Sequence, residues 1–194
     1  KNLFFSLKER LNSARGLVKN LKKIQVLYLD DKVKSSRSID VITYILKKKK
    51  PKNLYFIAEI GGNHQGSYEK AIEICELAIS SGADCIKFQL YKADSLVNPT
   101  ISKERHTHFQ KFELTKEQHI SLAKMCIDSG VDYAASIWDL EMLEWIDPYT
   151  KFYKIGSGDL TSINFLKEFA KRCKPIVLST GLSNIKEVQK IVNY

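Results

Sequence analysis

The sequence predicts an α/β protein built on a parallel sheet, and three observations carry that expectation. Five short apolar runs, at residues 56–60, 83–89, 131–136, 152–159 and 175–181, each finish in polar or charged residues, as buried strands do when their carboxyl ends open into a site. Helix-patterned segments separate these runs in strict alternation, which argues for right-handed βαβ crossovers. Capping residues and glycines stand at the joints. A closed (β/α)8 barrel and an open doubly wound sheet both fit this order. Length constrains the choice: a closed barrel takes about 200–250 residues, and only 142 of the 194 follow the basic head, so a barrel here would be incomplete.

The chain opens with that head. Residues 1–52 carry 15 of the 31 Lys and Arg but only four of the 22 acids, a net +11, which leaves −2 on residues 53–194. The overall +9 is therefore a property of the head, and the body has no excess of positive charge to attract nucleic acid. Leu3, Leu7, Leu11, Leu17 and Leu21 form a patchy helical stripe, residues 24–29 are apolar enough for a strand, and residues 39–46 look helical. The head reads as a basic extension or the tail of an upstream module, ending in a Lys-rich helix end and a linker at Pro51. The chain does not begin with Met, so a piece of a longer translation product is expected.

The βα pattern starts at Asn53. Ser67 is placed to cap a helix whose Ala71, Ile74, Cys75 and Ala78 share one face, and Gly82 to stop it. A polar segment from Lys92 to Glu113 follows the second strand; its length suits an active-site loop. Thr115 and Gln118 form a capping box for the next helix, with Ile120, Ala123 and Ile127 inward and Gly130 after it. Asp139 caps a short helix ending near Pro148, Thr161 or Ser162 caps the next, and Ser183 the last. Cys75, Cys85, Cys126 and Cys173 have no metal-ligand spacing and sit in apolar patterns, so they read as core thiols of a reducing compartment. No apolar run is long enough to span a bilayer and no secretory signal is visible, so the expected location is cytoplasmic, without a membrane partner.

Two lysines, Lys87 and Lys154, lie inside strands that otherwise read as buried. A buried ammonium without an anion costs several kcal/mol, so each needs a carboxylate or a bound anion. Glu59 or Asp159 would serve as a salt-bridge partner. The alternative is a ligand phosphate, because Ser136, Ser157, Ser179 and Thr180 fall at equivalent strand ends and would ring the same mouth with donors. Glu59 is followed by Gly61 and Gly62, which let backbone approach a ligand, and then by Asn63 and His64, which could cap the next turn but whose place after a strand end favours contact with the substrate. His106, His108 and His119 read as surface residues, with no carboxylate spaced to make a metal site with them. Trp138, Trp145 and Tyr149 read as packing around one short helix. Asp84 and Asp132 begin strands and read as stability residues at the opposite face. Phosphate-loop, dinucleotide and hydrolase-elbow motifs do not occur.

Four ordered blocks, Ala58 to Gly66, Gly82 to Gln89, Lys154 to Thr161 and Lys174 to Gly181, together resemble the N-acetylneuraminate (sialic acid) synthase family, which includes the pseudaminic and legionaminic acid synthases. The resemblance implies a (β/α)8 barrel of TIM type, of which residues 53–194 would be the N-terminal five βα units. It implies condensation of phosphoenolpyruvate with N-acetylmannosamine or a related aldose, with loss of phosphate. Lys87, Lys154, Ser157 and Ser179 match positions that hold phosphoenolpyruvate, with Ser136 where the family usually has Thr. Gln89 matches a position near the sugar, and Glu59 and Asp159 match acidic positions near the reacting carbons.

The resemblance further implies a divalent metal, Mn²⁺ or Mg²⁺, whose histidine ligands lie on later strands, so none is expected within this chain. It also implies a homodimer made with a C-terminal antifreeze-like domain that is not part of this sequence. By that reading the 194 residues hold the phosphate half of the site and are inactive alone. The readings that compete with it are a relative specific for another aldose, or a truncated, non-catalytic binding module.

Overall fold

The computed structural model describes residues 55–193; the expectations for the basic head, residues 1–52, fall outside them. Five strands form one parallel sheet in sequential order: β1 (Ile57–Gly61), β2 (Cys85–Leu90), β3 (Asp132–Ile137), β4 (Tyr153–Ile155) and β5 (Ile176–Leu178). A doubly wound sheet reverses its strand order at a switch point, so sequential pairing removes that alternative for these five strands.

Register decides which residues share a face. Glu59 pairs with Lys87, Gln89 with Ser136, and Ser136 with Lys154. Side chains alternate along a strand, so Glu59, Lys87, Gln89, Ser136 and Lys154 all project to one side. Beneath them on that side lie Cys85, Ala134 and Phe152, a small apolar floor joined by Ile57. The opposite side, with Ala58, Ile86, Phe88, Tyr133 and Ile155, packs against the helices and holds the main core. The register slips between Glu59 and Gly61, where Gly61 takes φ +55°, so β1 leaves regular pairing just past the carboxylate.

The helices follow from their caps. Ser67 accepts from Lys70 N at the start of α1 (Tyr68–Ser80). Thr115 and Gln118 close a reciprocal box at α4 (Lys116–Asp128), and Asp139 caps α5 (Leu140–Ile146). The predicted loop at 92–113 instead contains α2 (Ala93–Leu96) and α3 (Lys103–Lys111). None of the nine residues of α3 is buried, so it carries no apolar stripe that periodicity could detect. Ser162 precedes α6 (Ile163–Ala170) without a side-chain bond, and Asn184, not Ser183, caps α7 (Ile185–Val192) through a box with Glu187.

Three burial expectations are corrected. The buried stripe of α4 is His119, Leu122, Ala123 and Cys126; Ile127, one residue beyond it, is 48 % exposed. His119 is a core residue whose Nδ1 lies 2.9 Å from the Tyr133 hydroxyl. Cys173 is exposed, in a turn at φ +54°, while Cys75, Cys85 and Cys126 are buried. The long β2 to α4 excursion is pinned by Gly66, where a Cβ would lie 1.9 Å from the Lys111 carbonyl oxygen.

Candidate active site at the strand ends

The chain sets two ammonium groups on one face of the sheet. Lys87, 3 % exposed, lies 2.9 Å from Glu59 Oε2 and donates to Ser136 Oγ at 3.0 Å. The salt-bridge alternative for Lys87 is thus realised. Its partner is 55 % exposed at the mouth, so the carboxylate is within reach of a ligand as well as of the lysine. Lys154, one pairing step from Ser136, donates to Ser179 Oγ and to the Ile155 carbonyl. Its pKa is lowered, first by burial and then by the nearby Lys87 charge, with Glu59 opposing. Two cations close enough to repel, rimmed by hydroxyls and only partly compensated, have the charge and the donors that would complement a small polyanion.

The other predicted residues stand at or just past the strand ends. Ser179 is held by its own N–H, which donates to Ile155 O at 3.0 Å. Ser157 lies across from the β5 loop, its Oγ 3.9 Å from where a Cβ on Gly181 would be. Gln89, half-buried, sits under the Gly61 and Gly62 turn, its Nε2 3.7 Å from a Cβ placed on Gly61. Asp159 does not pair with either lysine; its Oδ2 accepts from the Trp138 indole N–H at 2.8 Å. Asn63 is exposed on the β1 to α1 turn.

His64 is not brought into this group. It is 2 % exposed, its ring faces Phe88 on the helix side, and Nδ1 accepts from Gly66 N–H at 3.1 Å. Burial lowers its pKa, so the neutral imidazole shapes the turn that carries Asn63. His106 does have a carboxylate, Asp94, at 2.6 Å, because α2 and α3 fold together. His108 is exposed and stacks near Phe112. Among the described residues no three His, Cys, Asp or Glu side chains gather as a metal cradle, and no helix is long and apolar enough to cross a membrane.

Trp138, read from the sequence as packing around a short helix, does sit edge-on to Tyr91, and its indole N–H also donates to Asp159; it stands two residues after Ser136, past the carboxyl end of β3.

Comparison with known proteins shows the family. Residues 74–194 match the model of the NeuB family. The chain is 34% identical over 160 residues to the N-acetylneuraminate-9-phosphate synthase of Drosophila melanogaster, covering 76% of this chain and 43% of that protein. It is 32% identical over 152 residues to the N,N'-diacetyllegionaminic acid synthase of Legionella pneumophila, covering 72% and 43%. Among solved structures, the sialic acid synthetase of Leptospira borgpetersenii, crystallised with citrate, superposes with a TM-score of 0.67 at 25% identity, covering 72% of this chain and 49% of the other. The chain therefore spans less than half the length of each of these relatives.

Proposed function

Because the chain belongs to the NeuB family, we propose that it forms the phosphoenolpyruvate-gripping part of a nonulosonic acid synthase. The reaction is condensation of phosphoenolpyruvate with N-acetylmannosamine or a related aldose, with release of phosphate, in the biosynthesis of surface carbohydrate. The observation that carries this reading is the convergence of Lys87 and Lys154, with Ser136 and Ser179, on one face of parallel strand ends. Phosphoenolpyruvate is a small trianion with two anionic ends, and two cations rimmed by hydroxyls complement it.

In this reading the two ammonium groups and the serines neutralise the phosphate and carboxylate, which orients C3 of the enol toward the sugar carbonyl. Carbon–carbon bond formation at C3 leaves positive charge at C2, water adds there, and phosphate leaves by C–O cleavage. In this reading an acid at the mouth, Glu59 or Asp159, orients that water or takes its proton; the exposure of Glu59 beside Lys87 supports Glu59. Gln89, by the family resemblance, stands near the sugar. A divalent Mn²⁺ or Mg²⁺ belongs to the reading through the family resemblance; among the described residues no three His, Cys, Asp or Glu side chains gather to hold it. The sequential parallel sheet is read as the first five units of a (β/α)8 barrel, and the synthase as a cytoplasmic homodimer.

The sugar is tested by assaying phosphate release from phosphoenolpyruvate with a panel of aldoses, using the whole protein that carries this chain. Release with N-acetylmannosamine or its 6-phosphate supports the sialic acid reading. Release only with a diacetamido sugar moves the assignment to a legionaminic or pseudaminic acid synthase. Absence of release with every aldose, together with absence of phosphoenolpyruvate binding, defeats both.

A further inference from the structure

The two site lysines differ in how they are compensated. Lys87 has a protein counter-ion, Glu59, at 2.9 Å. Lys154 donates only to neutral oxygens, Ser179 Oγ and Ile155 O, and takes part in none of the ion pairs among the described residues. A carboxylate stands five positions further along the chain. Asp159 overhangs the backbone just past β4: a Cβ placed on Gly156 would lie 3.1 Å from its Oδ2. That same oxygen accepts the indole N–H of Trp138 at 2.8 Å. Trp138 is itself fixed, its backbone N–H donating to Leu90 O at 3.1 Å and its ring edge-on to Tyr91 with centroids 5.8 Å apart. The binding of phosphoenolpyruvate as described above makes no use of this indole.

We propose that Trp138 is a positioning residue: by holding the Asp159 carboxylate, it keeps Asp159 from becoming the counter-ion of Lys154 and leaves that ammonium for an anionic ligand. The inference rests on the anion-binding reading of the site. A carboxylate free to swing onto Lys154 competes with the ligand for the same cation and repels it by like charge. The indole suits this task because it donates one hydrogen bond, accepts none and carries no charge that would compete for the ligand. The depressed pKa of Lys154 comes from burial and then from Lys87, with Glu59 as the acid that opposes them, and Asp159 is not among its causes.

The test is a double-mutant cycle on the 194-residue chain, with phosphoenolpyruvate titrated calorimetrically into the wild type, Trp138→Phe, Asp159→Asn and the double variant. Trp138→Phe keeps a ring against Tyr91 and removes the donor. Its affinity is expected to fall about five-fold, and the double variant to return to within about two-fold of Asp159→Asn alone. Unchanged affinity in Trp138→Phe, or a loss that Asp159→Asn does not rescue, overturns the proposal, since packing alone would then explain the residue. A second measurement needs no ligand: the ε-amine of Lys154, followed by ¹³C NMR, titrates at higher pH in Trp138→Phe and returns in the double variant. Should the wild type bind no phosphoenolpyruvate, the functional reading fails, and the amine titration still decides the inference: a value unmoved by Trp138→Phe refutes it.

Discussion

Lys87 and Glu59 face each other across β1 and β2 at 2.9 Å, yet one side chain is 4 % exposed and the other 55 %. The pair is therefore asymmetric. Removing the buried partner takes away a desolvated charge and leaves a carboxylate that water can solvate; removing the exposed partner leaves the ammonium without its counter-ion.

This asymmetry yields the first prediction. Lys87→Met, of similar volume, changes unfolding free energy by less than about 1 kcal/mol, whereas Glu59→Gln destabilises by about 1–2 kcal/mol, discounted for the exposure of the carboxylate. Urea unfolding of both variants checks the order. Equal losses would show that the pair acts as an ordinary surface contact.

A second prediction concerns acid. Burial lowers the pKa of His119 to about 3, against an ordinary 6.5, so the folded state binds fewer protons than the unfolded state between these values. Stability contributed by the neutral ring is complete above about pH 6.5 and is lost as pH falls toward 3. At pH 5 the loss from this residue is about 2 kcal/mol relative to pH 7. Denaturation of the wild type and of His119→Gln at both pH values measures it, and the variant should show the smaller pH dependence.

The third prediction tests the pinning of the β2 to α4 excursion. Gly66→Ala places a methyl group 1.9 Å from the Lys111 carbonyl oxygen at φ +83°, and is expected to cost about 2–4 kcal/mol. Gly158→Ala, with nothing within 4 Å of the added carbon, should stay within about 0.5 kcal/mol. Thermal unfolding separates the two, and similar midpoints would remove the steric account.

Much of this architecture was legible because its signals are local. The apolar runs ending at Glu59, Lys87, Ser136 and Lys154 marked the strands, and the caps Ser67, Thr115 and Asp139 marked helix starts from single side chains. The gathering of both lysines at one mouth was expected from their equivalent strand ends, although their sharing one face, through the pairing of Ser136 with Lys154, needed the register. What escaped has a physical reason in each case. Helix α3 buries none of its residues and has Phe109 as its single apolar side chain, so no stripe betrays it. His119 hides in the core because the Tyr133 hydroxyl, 14 residues away, satisfies it. His64 stands at a strand end like its neighbours, but the turn at Gly61 rolls its ring to the helix side against Phe88. The bond from Trp138 to Asp159 joins two loops and has no signature in either alone.

A fourth prediction follows from Lys154. Its folded pKa is lowered, so the unfolded state binds more protons in the window just below the ordinary 10.5, and the destabilising charge is relieved as pH rises through that window. A bound anion acts in the opposite direction and raises the pKa of the same amine. Binding of phosphoenolpyruvate at alkaline pH should therefore take up a proton, seen as a dependence of calorimetric heat on buffer ionisation enthalpy. Lys154→Met should abolish that dependence, and its persistence in the variant would assign the proton elsewhere.

The most direct measurement is calorimetric titration of phosphoenolpyruvate into the 194-residue chain and into Lys87→Met and Lys154→Met. The account predicts one site per chain with a dissociation constant between about 10 μM and 1 mM, in the range usual for enzyme substrates, weakened at least about ten-fold by either substitution. Binding that survives the loss of both lysines, or a folded wild-type chain that binds no phosphoenolpyruvate at millimolar concentration, would contradict it.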